Sequence, residues 1–266
     1  MRIWTIARVT LAGFLRNRVL ILFTAVFVFI LLSELTDLLA MRSAARHVSA
    51  GDISPVMGEI GEILDLVGAF GCALAAWSAA DTVASEMKSG TILAVMARPV
   101  ERWEFLLGKY LGVQLLTAIY VVFGFGFIHL LGWIGGQQIH TTPWVLIVYP
   151  LCRYAIYSSI AIFFVTFAHQ IVAFGGAVLI AILASLLKPG DNSLAFVPAA
   201  VRNVAYVLLP STALLSEDRF LTITKASLAK ITWDMHAFAV AYGLNYAMIF
   251  FLLAVWSFRR RGLSRE

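Results

Sequence analysis

The sequence predicts an all-α polytopic membrane protein with six transmembrane helices, and three observations carry that expectation. Hydrophobic residues make up 61% of the 266 positions and charged residues only 13%, against about 45–50% and about 25% in soluble domains. The apolar residues gather in runs long enough to cross roughly 30 Å of hydrocarbon at about 1.5 Å per helical residue. The basic residues sit mainly at the ends of those runs, where they meet lipid headgroups, so the net charge of +5 does not signal nucleic acid. The run pattern makes residues 1–266 one membrane domain.

Taken in order, residues 1–18 place Ile3, Ile6, Ala7, Leu11, Phe14 and Leu15 at helical spacing, with Arg2, Arg8 and Arg16 largely off that stripe. This predicts an N-terminal interfacial helix; the alternative is a basic flank of the first span. The spans are expected at 19–39, 63–83, 106–131, 144–167, 171–187 and 237–257. The first run is a retained span and not a signal peptide, because further apolar segments follow it. Between the first two spans, Gly51, Asp52, Ser54 and Pro55 are turn formers. His169 and Gln170 mark a tight turn, and 188–236 is a long outer segment.

Within that segment 194–209 is apolar but holds Pro198, Arg202 and Asn203. Its helical reach is about 24 Å, so it is expected to be re-entrant or interfacial. Residues 216–231 predict an exterior amphipathic helix, with Ser216 as cap and Glu217 and Asp218 suiting the positive end of the helix dipole.

Orientation follows from Lys and Arg near the span ends. With the N-terminus inside, 12 basic residues lie in inner segments and 7 in outer ones, five of those in the one long loop. Both termini and the 84–105 loop are therefore expected in the cytoplasm, with the chain in the inner or plasma membrane.

Within the spans Arg153 stands out, one turn after Pro150 and near mid-depth. An ionisable residue at such depth is usually paired and marks function. Asp65 is the expected partner, with Glu34 and Asp37 as rivals. Two readings stay open: an ion pair that fixes helix packing, or a polar lining for a translocation path. Asp81 lies near the inner end of the second span. That span is dense in small residues, Gly68, Gly71, Ala75 and Ala79 among them, and is expected at the centre of the bundle. His129 and His169 read as helix-end hydrogen-bonding residues, and Cys72 and Cys152 as small packing residues.

No catalytic motif is present. Gly108-Lys109 lacks the upstream glycine of a phosphate-binding loop, and no HExxH, GxSxG or clustered His/Cys set occurs. No enzyme activity and no metal or cofactor bound by this chain are expected.

The distinctive stretch is 84–105. Gly90 can end the helix leaving the second span, and Thr91 can cap a short helix running to Ala97. Arg98-Pro99 forces an extended link, because the residue before proline avoids the helical region. The loop thus predicts a short helix held across the cytoplasmic ends of two spans, a shape suited to docking. The alternative is a solvated basic connector, in which Trp103 is an interfacial anchor.

The loop resembles that of the type-2 ABC (ATP-binding-cassette) exporter permeases. The resemblance rests on Glu86, on Ser89, Gly90 and Thr91 with the apolar residues after them, on Arg98-Pro99-Val100, and on the series Arg102, Trp103, Glu104 through Gly108 and Lys109. The subgroup it is most similar to serves multicopper-enzyme and nitrous-oxide-reductase maturation. The resemblance implies a permease dimer, built with a second copy or paralogue, bound to separate cytoplasmic ATPase subunits that carry ATP and magnesium. It makes 84–105 the coupling loop and its short helix the coupling helix. The competing expectation is a membrane anchor or assembly factor that recruits a partner and moves nothing.

Overall fold

The computed structural model describes residues 2–45, 54–89, 101–135, 143–186 and 233–260, with isolated positions at 198, 201, 203, 204, 208–210 and 215. The described residues form α1 (Arg2–Phe14), α2 (Arg18–Ala45), α3 (Ser54–Ser89), α4 (Arg102–Gly135), α5 (Pro143–Val165), α6 (Gln170–Leu186) and α7 (Trp233–Arg260). No strand occurs among them.

Four helices are long and apolar enough to cross a membrane, through Asp65–Ser89, Arg102–Phe127, Ile147–Val165 and Trp233–Arg260. The pair α1 and α2 passes the same test together over Arg2–Phe14 and Arg18–Ser33, with a 66° bend between them. Helix α6 is apolar but shorter. The chain is a multi-pass membrane protein.

Helix boundaries depart from the expected spans where polar residues extend a helix beyond its apolar run. Ser54 and Pro55 open α3 instead of forming a turn. Proline is tolerated there because the first turn has no intrahelical use for its missing N–H. The expected re-entrant segment 194–209 and exterior helix 216–231 lie largely outside the described residues.

The centre of the bundle is α5, with α3 beside it. In the apolar stretch of α5, 72% of residues are buried, against 61% in α3, 33% in α4 and 22% in α7. Tyr149, Tyr154, Ile156 and Ile160 of α5 are all but fully enclosed. The small residues of α3 are what admit them. A Cβ on Gly71 would meet the Tyr154 ring at 2.2 Å, and one on Gly68 would meet Arg153 Nη2 at 2.1 Å. In lipid, such close approach replaces the hydrophobic drive that assembles soluble cores.

Side-chain hydrogen bonds then fix the register. Tyr120 donates to the Val67 carbonyl at 3.1 Å, and Gln114 Nε2 donates to Ser158 Oγ at 2.8 Å. Tyr149 and His236 join the starts of α5 and α7 across 2.7 Å.

Candidate functional site

One end of the bundle collects the breaks between helices, and polar contacts tie them together. Asn17 begins α2 as its N-cap: its Oδ1 accepts the Val19 N–H at 2.9 Å, and its carbonyl accepts from Ile21 at 3.0 Å. Its amide then donates to Asp81 Oδ2 of α3 at 2.7 Å. The other carboxylate oxygen, Oδ1, accepts from Gln170 Nε2 at the start of α6, also at 2.7 Å. One carboxylate therefore joins the α1–α2 bend, α3 and the α5–α6 turn. At the same end Thr166 donates to Ser257 of α7 at 2.7 Å. A recess of about 360 Å³ lies between Ala84, Met87 and Lys88 of α3 and Phe167, Ala168 and His169.

The two rims of the 84–105 loop are anchored here. Helix α3 ends at Ser89, where the sequence places a break before Gly90. Ser89 Oγ donates to the Glu86 carbonyl at 3.3 Å. Glu86 makes an ion pair with Lys109 of α4, the ion pair found among the described residues. Lys109 is only 5% exposed, so the contact is enclosed and not a surface pairing.

Glu101 precedes α4, and its carbonyl accepts the Phe105 N–H at 3.1 Å. Glu104 reaches back to the Glu101 N–H at 3.1 Å, half of a capping box. Trp103 Nε1 donates to the Glu101 carboxylate. Arg102 turns to the last helix: its Nη1 donates to the carbonyls of Phe258 and Arg259 at 3.0 and 3.1 Å. Those carbonyls lack partners within α7, so a cation there meets the negative end of the helix. Gly90, Thr91, Arg98 and Pro99, which bound the expected coupling helix, lie outside the described residues.

Helix α1 packs against α4. Ile3, Ile6, Ala7, Thr10 and Phe14 turn inward, while Leu15, expected on that stripe, is exposed. The crossing is close because Gly108 and Gly112 face it. A Cβ on Gly108 would stand 2.7 Å from Ile6 Cβ, and one on Gly112 would stand 2.7 Å from Thr10 Cβ. This small-xxx-small spacing is visible in the sequence once a partner is known.

The second candidate site is a cavity of about 420 Å³ among α3, α5 and α6. Arg153 and Asp65 both line it, with Gly68, Ala73 and Ala76 of α3 and Ala177 of α6 among its other walls. Arg153 is 9% exposed, lies against Gly68 and sits 5.8 Å from the Tyr154 ring centre. Asp65 is exposed. The two residues share a cavity and form no ion pair with each other among the described residues. The side chains of Glu34 and Asp37 lie outside the described residues.

His169 sits at a helix end as expected, its carbonyl accepting from Ala173 at 2.9 Å; His129 does not, since its Nδ1 lies 3.0 Å from the Phe125 carbonyl inside α4, which runs on to Gly135. No group of three or more His, Cys, Asp or Glu suited to a metal occurs among the described residues.

Comparison with known proteins decides the family. The family described as "ABC-2 family transporter protein" matches residues 4–263. The chain belongs to it. The chain is also similar to the protein named "Probable ABC transporter permease protein NosY" of Pseudomonas aeruginosa, 32% identical over 124 residues. The protein of the same name from Stutzerimonas stutzeri is 30% identical over 125 residues. Each match covers 47% of this chain and 43% of the relative, so the chain spans under half the length of the relatives it matches. The resemblance read from the 84–105 loop and the family match agree.

Proposed function

We propose that the chain is the transmembrane permease subunit of an ATP-driven ABC exporter. A separate cytoplasmic ATPase, carrying ATP and magnesium, docks on the 84–105 loop, and a second permease copy or paralogue completes the assembly. The observation that carries this reading is the anchoring of both rims of the loop. Glu86 with Lys109 joins α3 to α4, and Arg102 joins α4 to the end of α7. A push on the loop then reaches three helices at once. ATP-dependent closure of the partner would favour one arrangement of those helices over another, which is a population shift set by differential contacts.

The six-span topology with both termini in the cytoplasm belongs to the same reading. Every helix break gathered around Asp81 falls at the end expected inside. Helix α6, with 17 residues, covers about 25 Å at the helical rise, a short crossing. In this scheme Glu86, Lys109, Arg102 and Glu104 shape the loop, and Arg98 with Trp103 meets the partner.

The test is copurification of the tagged chain with the ATPase encoded beside it. The ATPase is expected to copurify with the chain and to be released by Arg98→Glu and weakened by Glu86→Gln. An unchanged complex in both variants overturns the docking. Absence of any ATPase supports the anchor reading instead.

A further inference from the structure

We infer that the exposed face of α1 is a docking surface for anionic phospholipid headgroups, with Arg8 and Arg16 holding their phosphates. The claim does not rest on the transport reading, and it holds whichever leaflet the N-terminus meets.

Depth places α1 at headgroup level. Two hydrogen-bonded pairs tie α5 to α7, Tyr149 with His236 and Thr166 with Ser257. They stand about 26 Å apart along α5 and about 32 Å apart along α7 at the helical rise, close to a hydrocarbon core roughly 30 Å thick. The pairs therefore bracket the apolar part of the bundle. Gln170 follows Thr166 by one turn and bonds Asp81, which also bonds Asn17. Asn17 thus stands at the Thr166 boundary, with Arg16 and Arg18 on either side of it, both exposed. The axis of α1 lies at 66° to that of α2. Over the 12 Å or so from Arg16 back to Arg8, the chain moves only about 5 Å along the direction of α2. The headgroup layer beyond the hydrocarbon is about 5–8 Å deep on each side, so Arg8 falls within it and Arg16 at its inner edge.

The faces of α1 divide into three. Ala7, Thr10 and Phe14 are buried, and Thr10 sits against Gly112 of α4. Beside that stripe Trp4 and Leu15 are 55% and 70% exposed. Farther round, Arg8, Ala12 and Arg16 recur every four residues, all exposed. No acidic residue precedes Glu34 in the sequence, and neither Arg8 nor Arg16 joins an ion pair among the described residues. An acidic protein surface would meet the arginines but leave the apolar flank in water. A lipid leaflet satisfies both, with acyl chains against Trp4 and Leu15 and phosphates at the arginines. Guanidinium takes a phosphate through two parallel N–H bonds. The unopposed positive charge favours a lipid of net negative charge over a zwitterion, whose ammonium it repels.

The experiment uses the full chain with Cys72→Ala and Cys152→Ala and a bimane on Ala12→Cys, between the two arginines. The chain is reconstituted in bilayers of phosphatidylcholine and phosphatidylglycerol, with one lipid or the other brominated high on its acyl chains. Quenching of the bimane reports which lipid stands beside it. An arginine near an anionic surface contributes up to about fivefold, so phosphatidylglycerol is expected to be favoured on the order of tenfold at this position. Arg8→Gln with Arg16→Gln is expected to bring the ratio near unity, whereas Arg8→Lys with Arg16→Lys keeps part of it. With the arginines in place, salt at about 1 M shortens the screening length to about 3 Å and is expected to shrink the preference; this arm needs no arginine variant to fold. A bimane on Phe123→Cys, exposed on α4, is expected to show no preference. Equal quenching by the two lipids at Ala12→Cys overturns the inference. So does a preference that salt and the Gln pair leave unchanged, or one that Phe123→Cys shares. Quenching by neither lipid assigns the face to water or to a protein partner and overturns it as well. None of these outcomes touches the docking of an ATPase, which copurification reads separately.

Discussion

The Asp81 cluster makes a prediction with a sign that can be inverted. Asp81 accepts one hydrogen bond on each oxygen, from Asn17 and from Gln170, each at 2.7 Å. Asp81→Asn preserves size and shape but turns one acceptor into a donor, which then faces another amide N–H. One bond to a charged group, worth about 1.5–3 kcal/mol, is lost, and the other falls to the neutral value of about 0.5–1.5 kcal/mol. The expected destabilisation is roughly 2.5–4.5 kcal/mol. Gln170→Glu alone sets two carboxylates against each other and is also expected to destabilise. Combined with Asp81→Asn, the same change supplies a carboxylate to the new amide and adds a negative charge at the N-terminus of α6, where the helix dipole favours it. The double variant is expected to recover about 1–2 kcal/mol of the loss. SDS-induced unfolding of the bicelle-reconstituted chain, followed by tryptophan fluorescence, measures all four forms. If Gln170→Glu has the same effect in both backgrounds, the Asp81 cluster is not the joint between α3 and α6, and the reasoning is refuted.

Two further predictions follow from the same end of the bundle. Glu86→Gln strands the enclosed Lys109 charge and is expected to cost about 3 kcal/mol in the same unfolding assay, most of it recovered by adding Lys109→Met; additive effects would mean the pair is not coupled. Gly112→Ala puts a methyl 2.7 Å from Thr10 Cβ, whereas Gly126 has nothing within 4 Å. Gly112→Ala is therefore expected to lower disulfide crosslinking between cysteines placed on α1 and α4, while Gly126→Ala leaves it unchanged; equal crosslinking in the two variants would place α1 elsewhere.

The sequence reveals individual helices better than their neighbours. The end of α3 before Gly90, the inward stripe of α1 and the helix-end role of His169 are all readable locally, because caps and periodicity act within one or two turns. Which helix touches which is not. In a soluble protein an apolar face announces the core, but in lipid both faces of α3 and α4 can be apolar, so periodicity does not separate protein from bilayer. That is why the sequence points to the second span as the centre, where the structure puts α5. It is also why the sequence singles out Glu86 and Arg102 in the loop without revealing their partners inside the chain, Lys109 and the end of α7. The Asn17–Asp81–Gln170 joint unites residues 64 and 89 positions apart; its one local signal is an N-cap-type residue just before an apolar run.

The two sites lie at opposite ends of the same helices, and that placement has a mechanical consequence. Asp81 fixes α3 to the α1–α2 bend and to α6, and Gly108 and Gly112 seat α1 on α4. A displacement imposed at the loop is thus distributed over the helices that begin or end there. Helices α3 and α6 also form two walls of the cavity. A tilt of roughly 5° about the Asp81 end would move Asp65 by roughly 2 Å, the size of helix shift that ordinary switching transitions use. The third wall, α5, carries Arg153 and is the most enclosed helix of the bundle, so it is the element least free to follow. The separation of Asp65 from Arg153 should then respond to whatever engages the loop. Under the docking proposed above, addition of the ATPase with a non-hydrolysable nucleotide should change the distance between spin labels on Asp65→Cys of α3 and Leu151→Cys of α5, and leave it unchanged when Arg98→Glu is added. A distance that ignores the ATPase in both would mean that the loop and the cavity walls are mechanically separate.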